Sequence, residues 1–283
     1  MSRFAYVNGT YARHEEASVH IEDRGFQFAD GVYEVIYLYK GRLIDTEAHL
    51  DRMEHSLREI HMDMPMSRRA MTPIIKELIR RNRLHTGLIY IQVTRGSSKR
   101  DFIFPEDTVP TLVITARRGP AFDPHHALQG MKVMTMKDIR WARCDIKTTA
   151  LLPASMCKQV ALDAGYSDAW LVNEEGFVTE GTSNNAWIVN AEGKLQTRPP
   201  SHEILNGITR KSIIELAKKE GIEIVEKPFT VEEAYNAREA FVTSASACVK
   251  PVTQIDDRVI ANGAVGLTCE KIAKIYADFL EKA

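Results

Sequence analysis

Lys147 and Glu180 are the two residues whose types and spacing bear most directly on chemistry. Lys147 lies in Arg143-Cys144-Asp145-Ile146-Lys147-Thr148-Thr149, and Glu180 follows in Val178-Thr179-Glu180-Gly181-Thr182-Ser183-Asn184. A lysine amine in a partly dry pocket can lose its proton and condense with an aldehyde, and a nearby carboxylate can hold a pyridine nitrogen protonated. An isolated lysine is ordinarily a solvated surface group, so the pairing needs support from the rest of the chain.

A site for phosphate is the first such support. In Leu205-Asn206-Gly207-Ile208-Thr209-Arg210, a glycine and a threonine stand where a helix is expected to open. Exposed N–H groups and the helix dipole at such a terminus bind phosphate, although the same residues also serve simply as a cap. Thr243-Ser244-Ala245-Ser246-Ala247 is a second hydroxyl-rich turn, either a further phosphate donor or a plain tight turn. Arg52, on an expected helix, is solvated in one reading and a phosphate fork in the other. Tyr33 begins a strand on which alternation places Tyr33 and Val35 on one face, as core or as site. Arg100, in a polar loop, either pairs with a substrate carboxylate or is solvated. His125-His126 has no metal partners at usable spacing and reads as loop.

The elements that must position these residues follow from turns and periodicity. Asn8-Gly9 supplies the positive φ angles of a tight hairpin after the strand at 4–7. A strand over 32–39 turns at Lys40-Gly41-Arg42, and Leu50, Met53, Leu57 and Ile60 recur at helical steps over 47–61. A second helix spans 67–84, and strands are expected at 88–94 and 111–116. Beyond Arg118-Gly119-Pro120 come strands at 132–136, 169–172, 187–189, 222–225 and 239–243, with helices at 154–164, 209–220 and 265–280. The expectation is a mixed α/β chain with a small N-terminal domain at 1–118, a linker at 119–125, and a larger C-terminal domain at 126–283 carrying Lys147.

Composition narrows the function classes. With 283 residues, 44% hydrophobic and 27% charged, the chain has the make-up of a globular protein large enough for two cores. A net charge of -1 gives no electrostatic reason to expect nucleic acid or an anionic membrane as partner, so the expected substrate is a small molecule. Cys144, Cys157, Cys248 and Cys269 lack Cys-x-x-Cys spacing, and the start is too quickly polar for a signal peptide, so a cytoplasmic location is expected. Dinucleotide, Walker, zincin and hydrolase signatures are absent.

Taken together, the motifs resemble those of the fold type IV pyridoxal phosphate aminotransferases, most closely the D-amino-acid transaminases. The likeness is carried in order by Gly31-Val32-Tyr33-Glu34, Glu47-Ala48-His49-Leu50-Asp51-Arg52, Gln92-Val93-Thr94-Arg95-Gly96, Asp145-Ile146-Lys147, the 179–184 segment, and Asn206-Gly207-Ile208-Thr209-Arg210. It implies pyridoxal 5'-phosphate as cofactor, Lys147 as Schiff-base lysine, and Glu180 at the pyridine nitrogen. Arg52, Gly207, Ile208, Thr209 and Ser244 would hold the phosphate, with Leu205 and Ser183 also at the cofactor. Tyr33, Val35, Tyr90, Arg100 and Phe102 would meet substrate, and a homodimer would bring the Arg100 loop over the neighbouring site.

Two departures from that pattern stand out. Where the common D-type has Arg-x-His, this chain reads Arg100-Asp101-Phe102, and Ala245 replaces a second hydroxyl beside Ser244, removing a hydrogen bond worth about 0.5–1.5 kcal/mol. The expected reaction moves an amino group between a D-amino acid such as D-alanine and a 2-oxo acid such as 2-oxoglutarate. The alternatives are a branched-chain L-amino-acid aminotransferase, an (R)-amine transaminase, an aminodeoxychorismate lyase, or a cofactor-free binding module.

Overall fold

The computed structural model describes residues 3–123 and 128–283, which form two compact units, one of Met1–Ala121 with Ile146–Ala150 and one of Phe122–Asp145 with Leu151–Ala283. Residues 124 and 125 of the expected linker, and with them the His125-His126 pair, lie outside the described residues.

The first unit is built on a six-stranded antiparallel sheet. Its strands are β1 (Phe4–Val7), β2 (Thr10–Arg13), β3 (Gly31–Tyr39), β4 (Arg42–Leu43), β5 (Gly87–Thr94) and β6 (Thr111–Arg118), in the order β2-β1-β6-β5-β3-β4. The β1–β2 hairpin closes with Asn8 at φ 43° and Gly9 at φ 93°, the pair of positive angles that the Asn-Gly sequence demands. A short helix α1 (Arg24–Phe28) precedes β3, and α2 (Thr46–Glu59) and α3 (Arg68–Asn82) follow it. Leu50, Met53 and Leu57 of α2 and Met71, Ile75 and Leu78 of α3 join Val32, Ile36, Ile89 and Ile91 in one buried core. That apolar stripe is what the four-residue steps along α2 announce.

The segment Ile146–Ala150 belongs to this first unit, whereas the sequence reading assigns Lys147 to the C-terminal domain. The reason is an open sheet edge. β4 covers only the far end of β3, so the near end presents unpaired backbone. Thr148 bridges to Val32, the Tyr33 N–H donates to the Lys147 carbonyl at 2.9 Å, and the Thr149 N–H donates to the Gly31 carbonyl at 3.0 Å. Ile146 anchors the segment in the core.

The second unit carries a mixed nine-stranded sheet. Its strands are β7 (Met131–Lys137), β8 (Asp168–Val172), β9 (Val178–Gly181), β10 (Asn185–Val189), β11 (Leu195–Thr197), β12 (Ile224–Glu226), β13 (Glu239–Ser244), β14 (Cys248–Ile255) and β15 (Arg258–Val259). The order is β12-β11-β10-β13-β14-β7-β8-β9, with β15 on β14, and the β11–β12, β14–β7 and β7–β8 pairs are parallel. Its helices are α4 (Leu152–Asp163), α5 (Ile208–Lys219), α6 (Val231–Tyr235) and α7 (Leu267–Lys282). Trp170 packs against Phe229, and Trp187 stacks on Phe241 with centroids 5.4 Å apart. Among the described residues no helix is long and apolar enough to cross a membrane.

Candidate active site

Each unit gathers its own share of the expected site residues. In the first, alternation along β3 turns Tyr33 and Val35 to one face and buries Val32, Glu34 and Ile36 on the other. Register with β5 pairs Tyr33 with Gln92 and Val35 with Tyr90, so all four side chains share that face. The Tyr33 and Tyr90 rings stack 5.4 Å apart, and Tyr90 donates its hydroxyl to Gln92 Oε1 at 2.6 Å. Burial, reinforced by Tyr33, pushes the Tyr90 phenol up to about 12. Lys147 Nζ lies 4.2 Å from the Tyr33 ring centroid, and its backbone N–H donates to Ser56 Oγ of α2 at 3.2 Å. Thus the structure brings Tyr33, Val35 and Tyr90 onto one face with Lys147 against Tyr33, and Gln92, which the sequence reading does not name among the site residues, stands beside them.

Arg52 stands elsewhere in this unit. Its Nε and Nη2 donate to the two oxygens of Glu34 at 2.7 and 2.8 Å, and His49 Nδ1 lies 2.7 Å from Glu34 Oε2. An ionised carboxylate only accepts, so the His49 nitrogen donates. Burial alone would raise the Glu34 carboxyl, but Arg52 and His49 outweigh it and lower it to about 2. This fork uses two of the five N–H groups that a guanidinium carries.

Arg100 and Phe102 form a third group, on the loop after β5. Phe102 is 87% exposed, and the Arg100 guanidinium lies 4.7 Å over the ring of Phe28. Among the described residues, no hydrogen bond, ion pair or ring contact joins either of them to Tyr33, Tyr90 or Lys147. The expected substrate residues therefore divide into two clusters within this chain.

The second unit organises the others around Asn185. Glu180 is buried on β9, where Arg140 Nη1 donates to its Oε1 at 2.5 Å, Asn185 Nδ2 to its Oε2 at 2.9 Å, and the Leu205 N–H reaches both oxygens at 3.2 Å. Asn185 also donates to the Leu205 carbonyl at 2.8 Å and is paired in register with Thr243, the neighbour of Ser244. Burial works against the Arg140 charge, yet Glu180 and Asp138 raise its pKa above the ordinary arginine value. Asp138, bidentate to Arg140 and accepting from Thr179, is lowered despite its burial. Arg140 and Asn185 are the residues that sequence reasoning missed; Arg140 sits in the charged run Lys137-Asp138-Ile139-Arg140, which has no periodic signal.

Gly207 is the N-cap of α5 and offers no side-chain cap, so the first-turn N–H groups at Ile208 and Thr209 are not met by one. A Cβ at Gly207 would stand 2.0 Å from Asn185 Oδ1, so only glycine lets this turn lie against Glu180's partner. An uncapped helix start holding a buried threonine, next to an oriented carboxylate, suits a phosphorylated pyridine: anion at one end, ring nitrogen at the other. Ser244 Oγ accepts from the Ala247 N–H at 3.0 Å, closing its turn. Ser183 is exposed at the tip of the 182–184 turn, while its neighbours Thr182 and Asn184 both donate to the buried Asp168 carboxylate, at 2.5 and 2.6 Å.

Residues 31–255 match the model of the amino-transferase class IV family. A D-alanine aminotransferase of Bacillus licheniformis is 40% identical over 260 residues, which is 92% of this chain and 90% of that protein. One from Listeria monocytogenes serotype 4b is 37% identical over 279 residues, covering 98% and 96%. Among solved structures, the branched-chain amino acid aminotransferase of Escherichia coli superposes with a TM-score of 0.92 at 25% identity, covering 99% of this chain and 95% of that one. The branched-chain amino acid aminotransferase of Thermobaculum terrenum in its PLP-form gives 0.88 at 25% identity, covering 99% and 94%.

Proposed function

Because the chain belongs to the class IV aminotransferase family, we propose that it moves an amino group between a D-amino acid such as D-alanine and a 2-oxo acid such as 2-oxoglutarate, using pyridoxal 5'-phosphate. The observation that carries the cofactor assignment is the uncapped start of α5 joined through Asn185 to the oriented carboxylate of Glu180. Two D-alanine aminotransferases at 40% and 37% identity favour the D-amino acid over the branched-chain substrates named for the structural neighbours.

When bound, the cofactor supplies an aldehyde that carries the amino group and a ring that accepts electrons from the substrate α-carbon. Lys147 would hold it through its amine, and the same amine would move a proton at the substrate α-carbon. Glu180 would keep the ring nitrogen protonated, and Arg140, Asn185 and the Leu205 N–H hold its carboxylate in place. Ile208 and Thr209 offer backbone N–H groups to the phosphate, with Gly207 allowing close approach and Ser244 and Arg52 adding donors. Leu205 would pack on the ring, and Ser183 would stand near the cofactor. Tyr33, Val35 and Tyr90 face the reacting side, while Arg100 takes the substrate carboxylate and Phe102 leaves an apolar neighbour beside it. The active form is a cytoplasmic homodimer, which sedimentation of the purified protein would test.

Borohydride reduction followed by peptide mapping tests the reading directly. A label on Lys147, and loss of the absorbance near about 400–430 nm in Lys147→Ala together with turnover, are the expected results. Unchanged activity in Lys147→Ala would overturn it. A half-reaction with D-alanine but not L-leucine separates the D-type from the branched-chain alternative.

A further inference from the structure

Asp30, immediately before β3, is gripped by two buried arginines. Arg24 donates from Nε to Oδ2 at 2.7 Å, and Arg95 donates from Nε to the same oxygen at 2.7 Å and from Nη2 to Oδ1 at 3.0 Å. One carboxylate cannot balance two guanidiniums, and the surplus charge is met by carbonyls and ring faces. Arg95 donates to the Ile60 carbonyl at 2.7 Å and lies 3.7 Å from the Phe104 centroid. Arg24 donates to the Asp101 carbonyl at 2.6 Å and lies 4.6 Å over Phe28. Asp101 and Phe104 both belong to the loop that carries Arg100 and Phe102.

The residues flanking Asp30 grip a second segment. The Ala29 carbonyl accepts from Thr149 Oγ1 at 3.0 Å and the Gly31 carbonyl from the Thr149 N–H at 3.0 Å, two residues beyond Lys147. Arg100 forms no ion pair among the described residues. Its guanidinium rests on the same Phe28 ring that Arg24 overlies, and Phe28 contacts Phe102 at 5.8 Å.

We propose that Arg24, Asp30 and Arg95 form a positioning clamp that fixes the loop at 99–104, and with it the carboxylate-binding Arg100. The clamp sets substrate affinity and leaves the chemical step alone. It performs the loop-fixing work for which Phe102, lacking a polar atom, has no hydrogen bond to offer. Phe28 is the hinge plate of the clamp: the guanidiniums of Arg24 and Arg100 both lean on it, so the loop's position depends on its ring. This proposal rests on the reading of the protein as a transaminase of carboxylate-bearing substrates.

The test uses the holoenzyme with Arg24→Lys and Phe28→Leu, in steady-state kinetics with D-alanine and 2-oxoglutarate and in limited trypsin digestion. Arg24→Lys keeps the charge but loses the fork, and Phe28→Leu alters only a half-buried ring, so at least one variant folds. Each is expected to raise KM, by about tenfold for Arg24→Lys and less for Phe28→Leu, with kcat within about twofold. Each should also speed cleavage after Lys99 and Arg100, as mapped by mass spectrometry. A fall in kcat at unchanged KM, or cleavage no faster than in the wild type, would overturn the clamp. If the wild-type protein failed to use D-alanine the functional reading would fall, and the digestion would still decide whether Arg24 and Phe28 hold the loop.

Discussion

Two buried carboxylates, Glu34 in the first unit and Glu180 in the second, are each bonded by an arginine, and their surroundings differ in kind. Glu34 is fully buried; the Arg52 fork covers both of its oxygens and His49 adds a third donor. Arg52 and His49 both lie on α2 and Glu34 on β3, so the cluster welds α2 to β3. Glu180 takes the charged donor Arg140 on Oε1, and the amide of Asn185 and the backbone of Leu205 also donate to it. These arrive from three separate stretches of chain. A carboxylate with both oxygens closed by cations is structural, whereas one held by a cation on one oxygen and by neutral, directional donors on the other can serve a further positive group such as a protonated ring nitrogen.

Glu34→Gln gives the sharpest break in this contrast. Removing the charge takes from the buried Arg52 guanidinium the carboxylate it forks, and the expected loss of stability is about 3–5 kcal/mol in urea unfolding. A loss under about 1 kcal/mol would show that Glu34 is not the weld described.

Acid unfolding sharpens the same point. Because the Glu34 carboxyl is lowered from its ordinary 4.5 to about 2 in the folded protein, its contribution is complete above about 4.5. It is lost as the pH falls through that window, since the unfolded chain then binds the extra proton. Glu34→Gln should flatten the decline of stability between about pH 4.5 and 2 relative to wild type, measured by urea midpoints at each pH.

The contrast also explains what the sequence made legible. The Asn8-Gly9 hairpin, the stripe Leu50-Met53-Leu57 and the shared face of Tyr33 and Val35 are local patterns, and each is found as expected. The resemblance drawn from ordered motifs agrees with the family that the chain matches. The position of Lys147 in the first unit was not legible, because it follows from an uncovered edge at Val32, far away in sequence. β14, absent from the strands expected, carries Pro251 in mid-strand, and the proline is tolerated where Phe241 pairs with it on one side and pairing with β7 begins only at Val252. Arg140 and Asn185 were hidden for the same reason as Lys147: their meaning lies in partners forty and twenty residues away, at Glu180 and Leu205.

Arg140→Met tests the other half of the comparison. Methionine keeps much of the volume but removes the charged donor from Glu180, and such bonds are worth about 1.5–3 kcal/mol. The expected result is a fall in kcat of about 10- to 100-fold with a weaker cofactor band, and a smaller change in stability than in Glu34→Gln. Equal effects of the two substitutions on stability and turnover would erase the distinction between weld and aim.

Asn185→Ala is the smallest and most selective of these changes. Asn185 joins Glu180 Oε2 to the Leu205 carbonyl and backs the turn at Gly207, but it carries no charge; its bond to the Leu205 carbonyl is a neutral one worth about 0.5–1.5 kcal/mol, and only its bond to the carboxylate is charge-assisted. Arg140 and the Leu205 N–H remain on Glu180, so the carboxylate keeps its charged donor while its aim and the nearby helix start loosen. The expected signature is a cofactor dissociation constant raised by about tenfold, read by fluorescence titration, with kcat at saturating cofactor lowered less than in Arg140→Met. Were kcat to fall further than in Arg140→Met, the amide and not the guanidinium would be the principal support of Glu180, and charge would matter less to this site than geometry.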